Sequence, residues 1–372
     1  MNVRPVMDAL ESIAPLRYAE AWDNVGLLVG SPKWNADSIL LTIDLTEDVL
    51  AEALKLGVQM IVAYHPPIFE PMKTLTDANV KQHIVLEAAR AGISIYSPHT
   101  ALDAAPAGLN DWLAAGFGQG DVRALQAHRT LPESEECKIV TFCPAAAVDS
   151  IRKSLSTVGA GRIGEYQLCS FELRGHGTFL GGEKTNPAIG QRHMLERVEE
   201  VRLEMVCSRA ALGLAMIALR EFHPYEEPAI EIHPLEPKPE RMIGQGRRIR
   251  LDQKIDVPTI IERMKQRLGI ARLRLAAGRG APKQFTTIGL CAGAGGALLD
   301  DAIRQECELF FTGEMKHHDI VAANERGCTV LLAGHTNTER PYLAVLKQRL
   351  EQMLPEAKIT LAQSDRDPLV AF

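Results

Sequence analysis

The sequence predicts an α/β protein: a two-part domain of duplicated βαβαβ halves, interrupted by a smaller α+β insert. Two apolar series, residues 39–99 and 286–335, alternate strand-length runs with helical patterns, the order that lays parallel strands side by side. The series end alike. IYSPHTALD, residues 95–103, places His99, Thr100 and Asp103 where LLAGHTNTE, residues 331–339, places His335, Thr336 and Glu339. Between them, residues 136–247 run strand-helix-strand twice over, the order of a ferredoxin-like unit. The domains expected are therefore 1–135, 136–247 and 248–372.

Residues 4–14 have Val6, Leu10 and Ile13 at helical spacing. In AEAWDNVGLLVG, Asp23-Asn24 is turn chemistry leading into a buried strand, and Trp22 is expected to anchor the core. ILLTIDL is apolar almost throughout, as a strand covered on both faces must be. Thr46 can cap the next helix, whose apolar side is Val49, Leu50, Ala53, Leu54 and Leu56, and Gly57 ends it. QMIVAYHPPIF is a strand closed by Pro66-Pro67, which remove backbone donors. A helix over 79–91 precedes ISIYS, the strand that delivers His99.

CKIVTFCP opens the insert, followed by the helix AAVDSIRKSL, the strands YQLCSFELRGHGTFLG and VEEVRLEMVC, a helix over 209–221 and PAIEIHPLE. Acidic ESEE and Pro-rich PLEPKPE border it. The last third repeats the first: TTIGLCAG, ALLDDAIRQE, ELFFTGEM, HHDIVAANERG and CTVLLAG.

Hydrophobic residues are 46% and charged ones 24%, with a net charge of −6, so there is no global attraction for nucleic acid. The clusters Arg247–Arg250 and Arg272–Arg274 read as solvated faces. Seven scattered cysteines without C-x-x-C spacing argue against a disulfide framework and suit a reducing compartment. No run approaches the ~20 apolar residues of a membrane span. Asp8 and Glu11 stand where a signal peptide needs an apolar core. A cytoplasmic location is expected.

The chemistry should lie at strand ends, where ligands of open α/β sheets gather. A single histidine there is more often structural than a ligand. Three strand ends bearing His65, His99 and His335, two with a carboxylate four residues on, favour a metal site. Imidazole and carboxylate suit zinc, iron or manganese, and carboxylates can bridge two cations. Gly293, Gly295 and Gly296 could cradle a phosphate or simply form a tight turn. Glu314, Lys316, His317, His318 and Asp319 are accounted for by a solvated helix start, with Lys316 able to meet an anionic substrate and His318 able to shuttle protons. In the insert, His223, Tyr225, Glu226, Glu227 and His233 read as a rigid, proline-framed connection gating access rather than as catalytic groups.

YHPPIF, SPHTALDAAPAGLNDWL, LFFTGEMKHHD and AGHTNTERPYL together resemble the NIF3 family of dinuclear metal centre proteins, over nearly the whole chain. FHPYEEPAIEI, residues 222–232, is similar to that family's His-Pro-Tyr-Glu-Glu-Pro segment. The resemblance implies a PII-like insert, a homohexamer built as a trimer of dimers, and one or two divalent ions per chain. By motif it implies His65, Asp103, His335 and Glu339 as metal ligands. Tyr64 stands where the family has a first histidine, which implies a hydrogen-bonding or wall role there and a weaker second metal. His99 becomes an auxiliary ligand or a support orienting Asp103. The activity implied is metal-assisted hydrolysis of a nucleotide or other small oxygen-rich substrate, GTP cyclohydrolase type 2-like. The competing expectation is a regulatory or scaffold metalloprotein whose insert is an interaction module.

Overall fold

The computed structural model describes residues 1–369, and the chain forms two compact units. The first half comprises α1 (Val3–Ile13), β1 (Gly26–Val29), β2 (Ser38–Thr42), α2 (Glu47–Leu56), β3 (Met60–Ala63), α3 (Val80–Arg90), β4 (Ser94–Ser97), α4 (His99–Ala104), α5 (Leu109–Ala115) and β5 (Gly120–Thr130). Local chemistry sets several of these bounds. The Asn2 and Thr46 side chains accept the N–H groups of Arg4 and Val49 at the starts of α1 and α2, caps worth about 1 kcal/mol each. Gly57 ends α2 at φ +64. The buried face of α2 is narrower than its apolar residues suggest: Val49, Leu50 and Ala53 are covered, whereas Leu54 and Leu56 are exposed.

The insert follows, with β6 (Cys137–Cys143), α6 (Val148–Thr157), β7 (Phe171–Leu180), β8 (Leu195–Cys207), α7 (Arg209–Phe222) and β9 (Ile230–Pro234). Its strands form one antiparallel sheet in the order β7-β8-β6-β9. Period-two alternation places Ile139, Leu203 and Met205 in the unit's own core with Ile151, Leu155 and Leu219 from the helices. This unit spans Arg129–Pro239, beginning and ending a little before the expected 136–247. The shift has a packing cause: Gly244 lies so close to β5 that a Cβ there would meet the Gln126 carbonyl oxygen.

The second half comprises β10 (Lys238–Asp256), α8 (Val257–Leu268), β11 (Arg274–Ala276), β12 (Gln284–Ala294), α9 (Leu299–Arg304), β13 (Leu309–Glu314), α10 (His317–Glu325), β14 (Thr329–Leu332), α11 (Tyr342–Met353) and β15 (Lys358–Leu361). Together the halves build two sheets. One runs β1-β4-β3-β2-β15, with β15, β2, β3 and β4 parallel and β1 antiparallel to β4. The other runs β11-β14-β13-β12-β10-β5, with β12, β13 and β14 parallel, β10 antiparallel to β12 and β11 antiparallel to β14.

One core joins the facing sides of the two sheets through α1, α5, α8 and α11. Separate cores cover the outer sides, under α2 and α3 on one sheet and under α9 and α10 on the other. Both parallel sets are thus buried on both faces, which is why their strands read as continuous apolar runs. All seven cysteines are free, and no helix among the described residues is long and apolar enough to cross a membrane.

Candidate metal centre

The carboxyl ends of the parallel strands converge. Beyond β3, the N–H groups of Tyr64 and His65 continue the ladder to the Thr42 and Ile43 carbonyls, and Pro66-Pro67 then stops it. That fixes His65 at the rim of the first sheet. His335 and Glu339 follow β14 in the second sheet, on either side of a short turn of 3₁₀ helix, Thr336–Thr338. One donor atom from each of His65, His335 and Glu339 lies within 4.8 Å of the other two.

Glu339 is the centre of this group. The residue is 2% exposed, with Oε1 3.2 Å from His335 Nε2 and Oε2 3.6 Å from His65 Nε2. Each imidazole is held from behind by a second carboxylate: His65 Nδ1 is 2.9 Å from Asp44 Oδ1, and His335 Nδ1 is 2.9 Å from Glu314 Oε1. A carboxylate on Nδ1 orients the ring, raises its basicity and leaves Nε2 to face an ion.

The electrostatics follow. Burial alone would lower the His65 pKa, but the hydrogen bond to Asp44 and the nearby Glu339 charge outweigh it and push the imidazole up to about 10. The Glu339 hydrogen bond raises His335 to about 9. Burial opposes the charge on Glu339, yet the two histidines hold its pKa below the ordinary value.

The residues fit a divalent cation. Glu339 Oε2 is buried without a hydrogen-bond partner. Gly293 passes so close that a Cβ would lie 2.6 Å from Glu339 Oε1 and 3.1 Å from His335 Nε2. Backbone without a side chain, two imidazoles and a carboxylate make a set suited to zinc, iron or manganese.

A family model described as Duf34/NIF3 (NGG1p interacting factor 3) matches residues 1–368. The chain belongs to this family. It is 36% identical over 373 residues to NIF3-like protein 1 of Rattus norvegicus, covering 99% of this chain and 92% of that protein. It is 30% identical over 357 residues to the GTP cyclohydrolase 1 type 2 homolog of Halalkalibacterium halodurans, covering 96% and 94%. The crystal structure of a Bacillus cereus protein related to NIF3 covers 100% of this chain and 99% of that one, with TM-score 0.65 and 29% identity. That of Staphylococcus aureus protein SA1388 gives TM-score 0.75 at 24% identity, again over 100% and 99%, a likeness of fold. The α/β architecture is that of NIF3 proteins.

The remaining candidates of this NIF3 chain are arranged differently from their spacing. Asp103 lies on α4 outside the three-residue group, and its Oδ1 accepts the Tyr64 hydroxyl at 2.6 Å. Burial raises Asp103 to about 6, and the Glu339 charge adds to the shift. Tyr64 is fully buried, and its pKa is driven well above the ordinary value, so it acts as a neutral donor. His99 directs its Nδ1 elsewhere than to Asp103. Its Nδ1 is instead 2.8 Å from Asp23 Oδ1, while Asp23 Oδ2 accepts the Thr100 N–H and hydroxyl. Trp22, expected in the core, is 61% exposed, because the turn that buries Asp23 turns the preceding side chain outward.

Asp23, Asp44 and Glu314, which by sequence belong to a turn, a strand and a helix start, each face the Nδ1 of an imidazole: His99, His65 and His335. Glu314 was counted with the solvated helix start, yet it holds His335. Lys316, His317 and His318 are exposed, as a solvated start requires. The glycines at the end of β12 and just beyond it form a tight turn: the Gly293 and Gly295 N–H groups already donate to Thr338 and Thr312 hydroxyls at 2.8 and 2.9 Å.

Arg247 and Arg248, read as solvated, are buried. The Arg247 guanidinium pairs with Asp111 and donates to the carbonyls of Ala104, Ala105, Gly244 and Gly246, tying down the end of α4. In the insert, His223 Nδ1 accepts the Tyr225 N–H, and its Nε2 is 3.1 Å from the Phe142 carbonyl oxygen, a structural bracing of the proline-framed segment.

Proposed function

We propose that this NIF3 protein is a metal-dependent hydrolase acting on a nucleotide or other small oxygen-rich substrate, with His65, Asp103, His335 and Glu339 as ligands. The observation that carries this reading is the buried Glu339 carboxylate between two carboxylate-backed imidazoles. A divalent cation held there would supply Lewis acidity toward water and toward a carbonyl or phosphoryl oxygen of the substrate, making the carbon or phosphorus that bears it more electrophilic. Asp44 and Glu314 fix the two rings, and Tyr64 holds one oxygen of Asp103, leaving the other for a second ion. Similarity to proteins called GTP cyclohydrolase 1 type 2 homolog supports a nucleotide substrate.

The reading includes one or two ions per chain, duplicated halves, a ferredoxin-like or PII-like insert, a homohexamer and a cytoplasmic location. The β-α-β-β-α-β order of residues 137–234 supports the insert assignment, and the matched antiparallel edges β1 and β11 support duplication. The deciding experiment is hydrolysis of a nucleotide and phosphate-ester panel by metal-loaded and chelator-stripped protein. Metal-dependent turnover is expected. Retained metal without turnover on any member would put a regulatory metalloprotein in its place.

Metal binding should release protons. Because His65 and His335 titrate near 10 and 9 without metal, both rings carry a proton at neutral pH that the ion must displace. Affinity should therefore rise with pH through neutrality. Zinc titrations by calorimetry in buffers of differing ionisation enthalpy read the release directly, and a buffer-independent heat would contradict it. The linkage sign for the metal-free fold is the reverse. These raised pKa values contribute stability that is fully present below about pH 6.5 and lost as pH rises through 9 to 10.

Tyr64 should limit the second ion. Its hydroxyl occupies Asp103 Oδ1 and contributes no ligand at neutral pH. Tyr64→His is expected to raise retained metal from one equivalent toward two after exhaustive desalting. Two equivalents already retained by the wild type would show that Tyr64 does not limit the site.

A further inference from the structure

The turn that delivers Asp23 also carries an indole into solvent beside the metal donors. Trp22 is 61% exposed, although its turn is tightly tied. The neighbouring Asp23 carboxylate accepts bonds from Thr100 and faces His99, and the Asn24 side-chain amide donates to the Ile68 carbonyl. That last bond draws in Phe69, itself 43% exposed, whose ring lies 5.9 Å from Trp22 at an interplanar angle of 55°.

On its inner side Trp22 meets His99 edge-on at 6.2 Å. His99 stands 5.3 Å from His65, and His65 stands 5.5 Å from His335. A line of rings thus runs from solvent to the donor group. Exposed indole is unfavourable in water, and here a rigid turn prevents its burial by side-chain collapse. Such preorganisation favours a flat partner, because little conformational freedom remains to be lost on stacking. The polar group at the inner end is equally fixed. Asp23 holds Nδ1 of His99, and the His99 backbone is strained into φ +24, a departure typical of functional positions. Nε2 is the ring nitrogen left to meet a ligand.

We propose that Trp22 and Phe69 form a stacking platform for a flat heteroaromatic ring of the substrate, whose polar edge is met by His99 Nε2. A ring seated there would hold the attached oxygen-rich portion beside His65 and Glu339. The proposal takes its location from the hydrolase reading but does not need turnover to be tested.

The test is calorimetric binding of GMP, UMP and ribose 5-phosphate to the full chain, zinc-loaded and chelator-stripped. Both nucleotides should bind more tightly than ribose 5-phosphate. Trp22→Leu should weaken nucleotide binding on the order of 10-fold, in the range of base–aromatic stacking, while ribose 5-phosphate affinity, zinc content and melting temperature stay unchanged. His99→Gln should weaken the nucleotides while leaving the Trp22 fluorescence quench on binding intact. Equal affinity for all three probes, no nucleotide binding at millimolar concentration, or unchanged binding in Trp22→Leu would overturn the platform. So would a doubling of mass in light scattering that Trp22→Leu abolishes, since a second copy would then cover the indole. Nucleotide binding that depends on Trp22 but leads to no hydrolysis leaves the platform standing and removes the hydrolase reading.

Discussion

Glu339→Ala should abolish tight divalent-metal binding. Glu339 is the only carboxylate of the three-residue donor group, and both imidazoles turn their Nε2 toward it, at 3.2 and 3.6 Å. Outer partners of metal ligands cost roughly 10–100-fold in affinity when removed, and a direct donor at the centre should exceed that range. The variant also removes the main support for the raised His335 pKa, so that ring should titrate closer to its ordinary value. Glu339→Gln keeps the volume and removes the charge. It should lose metal nearly as completely while retaining the wild-type far-ultraviolet circular dichroism. Elemental analysis after desalting reads both variants. Wild-type metal content in Glu339→Ala would show that the ion sits elsewhere.

Gly313→Ala should be a strongly damaging small change at the strand ends that position the site. A Cβ there would lie 2.6 Å from the Gly293 carbonyl oxygen, 2.8 Å from His335 Cα and 2.9 Å from the Gly334 carbonyl oxygen. All three are backbone atoms, so no rotamer change relieves the clash, and the ends of β12, β13 and β14 must separate. Forcing extra atoms into packed structure costs about 3 kcal/mol at the upper end of the usual range. That corresponds to roughly 5–10 °C in melting temperature for a domain of this size. The same displacement moves His335 relative to Glu339, so metal affinity should fall with stability. An unchanged melting temperature, read by calorimetry, would show that the strand ends absorb a methyl group.

The candidate site was legible where a residue's own neighbours define it. His65 before two prolines, and His335 with Glu339 four residues on, each end an apolar run, and a strand end is a local pattern. What spacing could not reveal is which carboxylate serves which ring. The H-T-x-x-[DE] echo suggested equivalent roles, yet His335 meets Glu339 whereas His99 meets Asp23, far away in the chain. The first copy folds as α4 and the second as a 3₁₀ turn, so the same spacing projects the side chains differently. Asp44 and Glu314 carried a usable signal, since each stands at the end of a strand run, the same position that singled out His65.

The parts can be read from the amino-acid order alone: the alternation of buried strands and capped helices, the separate insert, and the rim of histidines. These depend on periodicity, capping and proline chemistry, which act within a few residues. How the parts join depends on long-range packing. The last strand, β15, leaves its own half to pair in parallel with β2 of the other, and β5 joins the sheet of the second half beside β10. Several apolar strands offer nearly equivalent edges for such pairing, and the choice among them depends on how the whole core closes. Asp103 follows the same rule. A carboxylate is available to a metal or to a neighbouring hydroxyl according to what the packed chain places within 3 Å of it, and here that neighbour is Tyr64, at 2.6 Å.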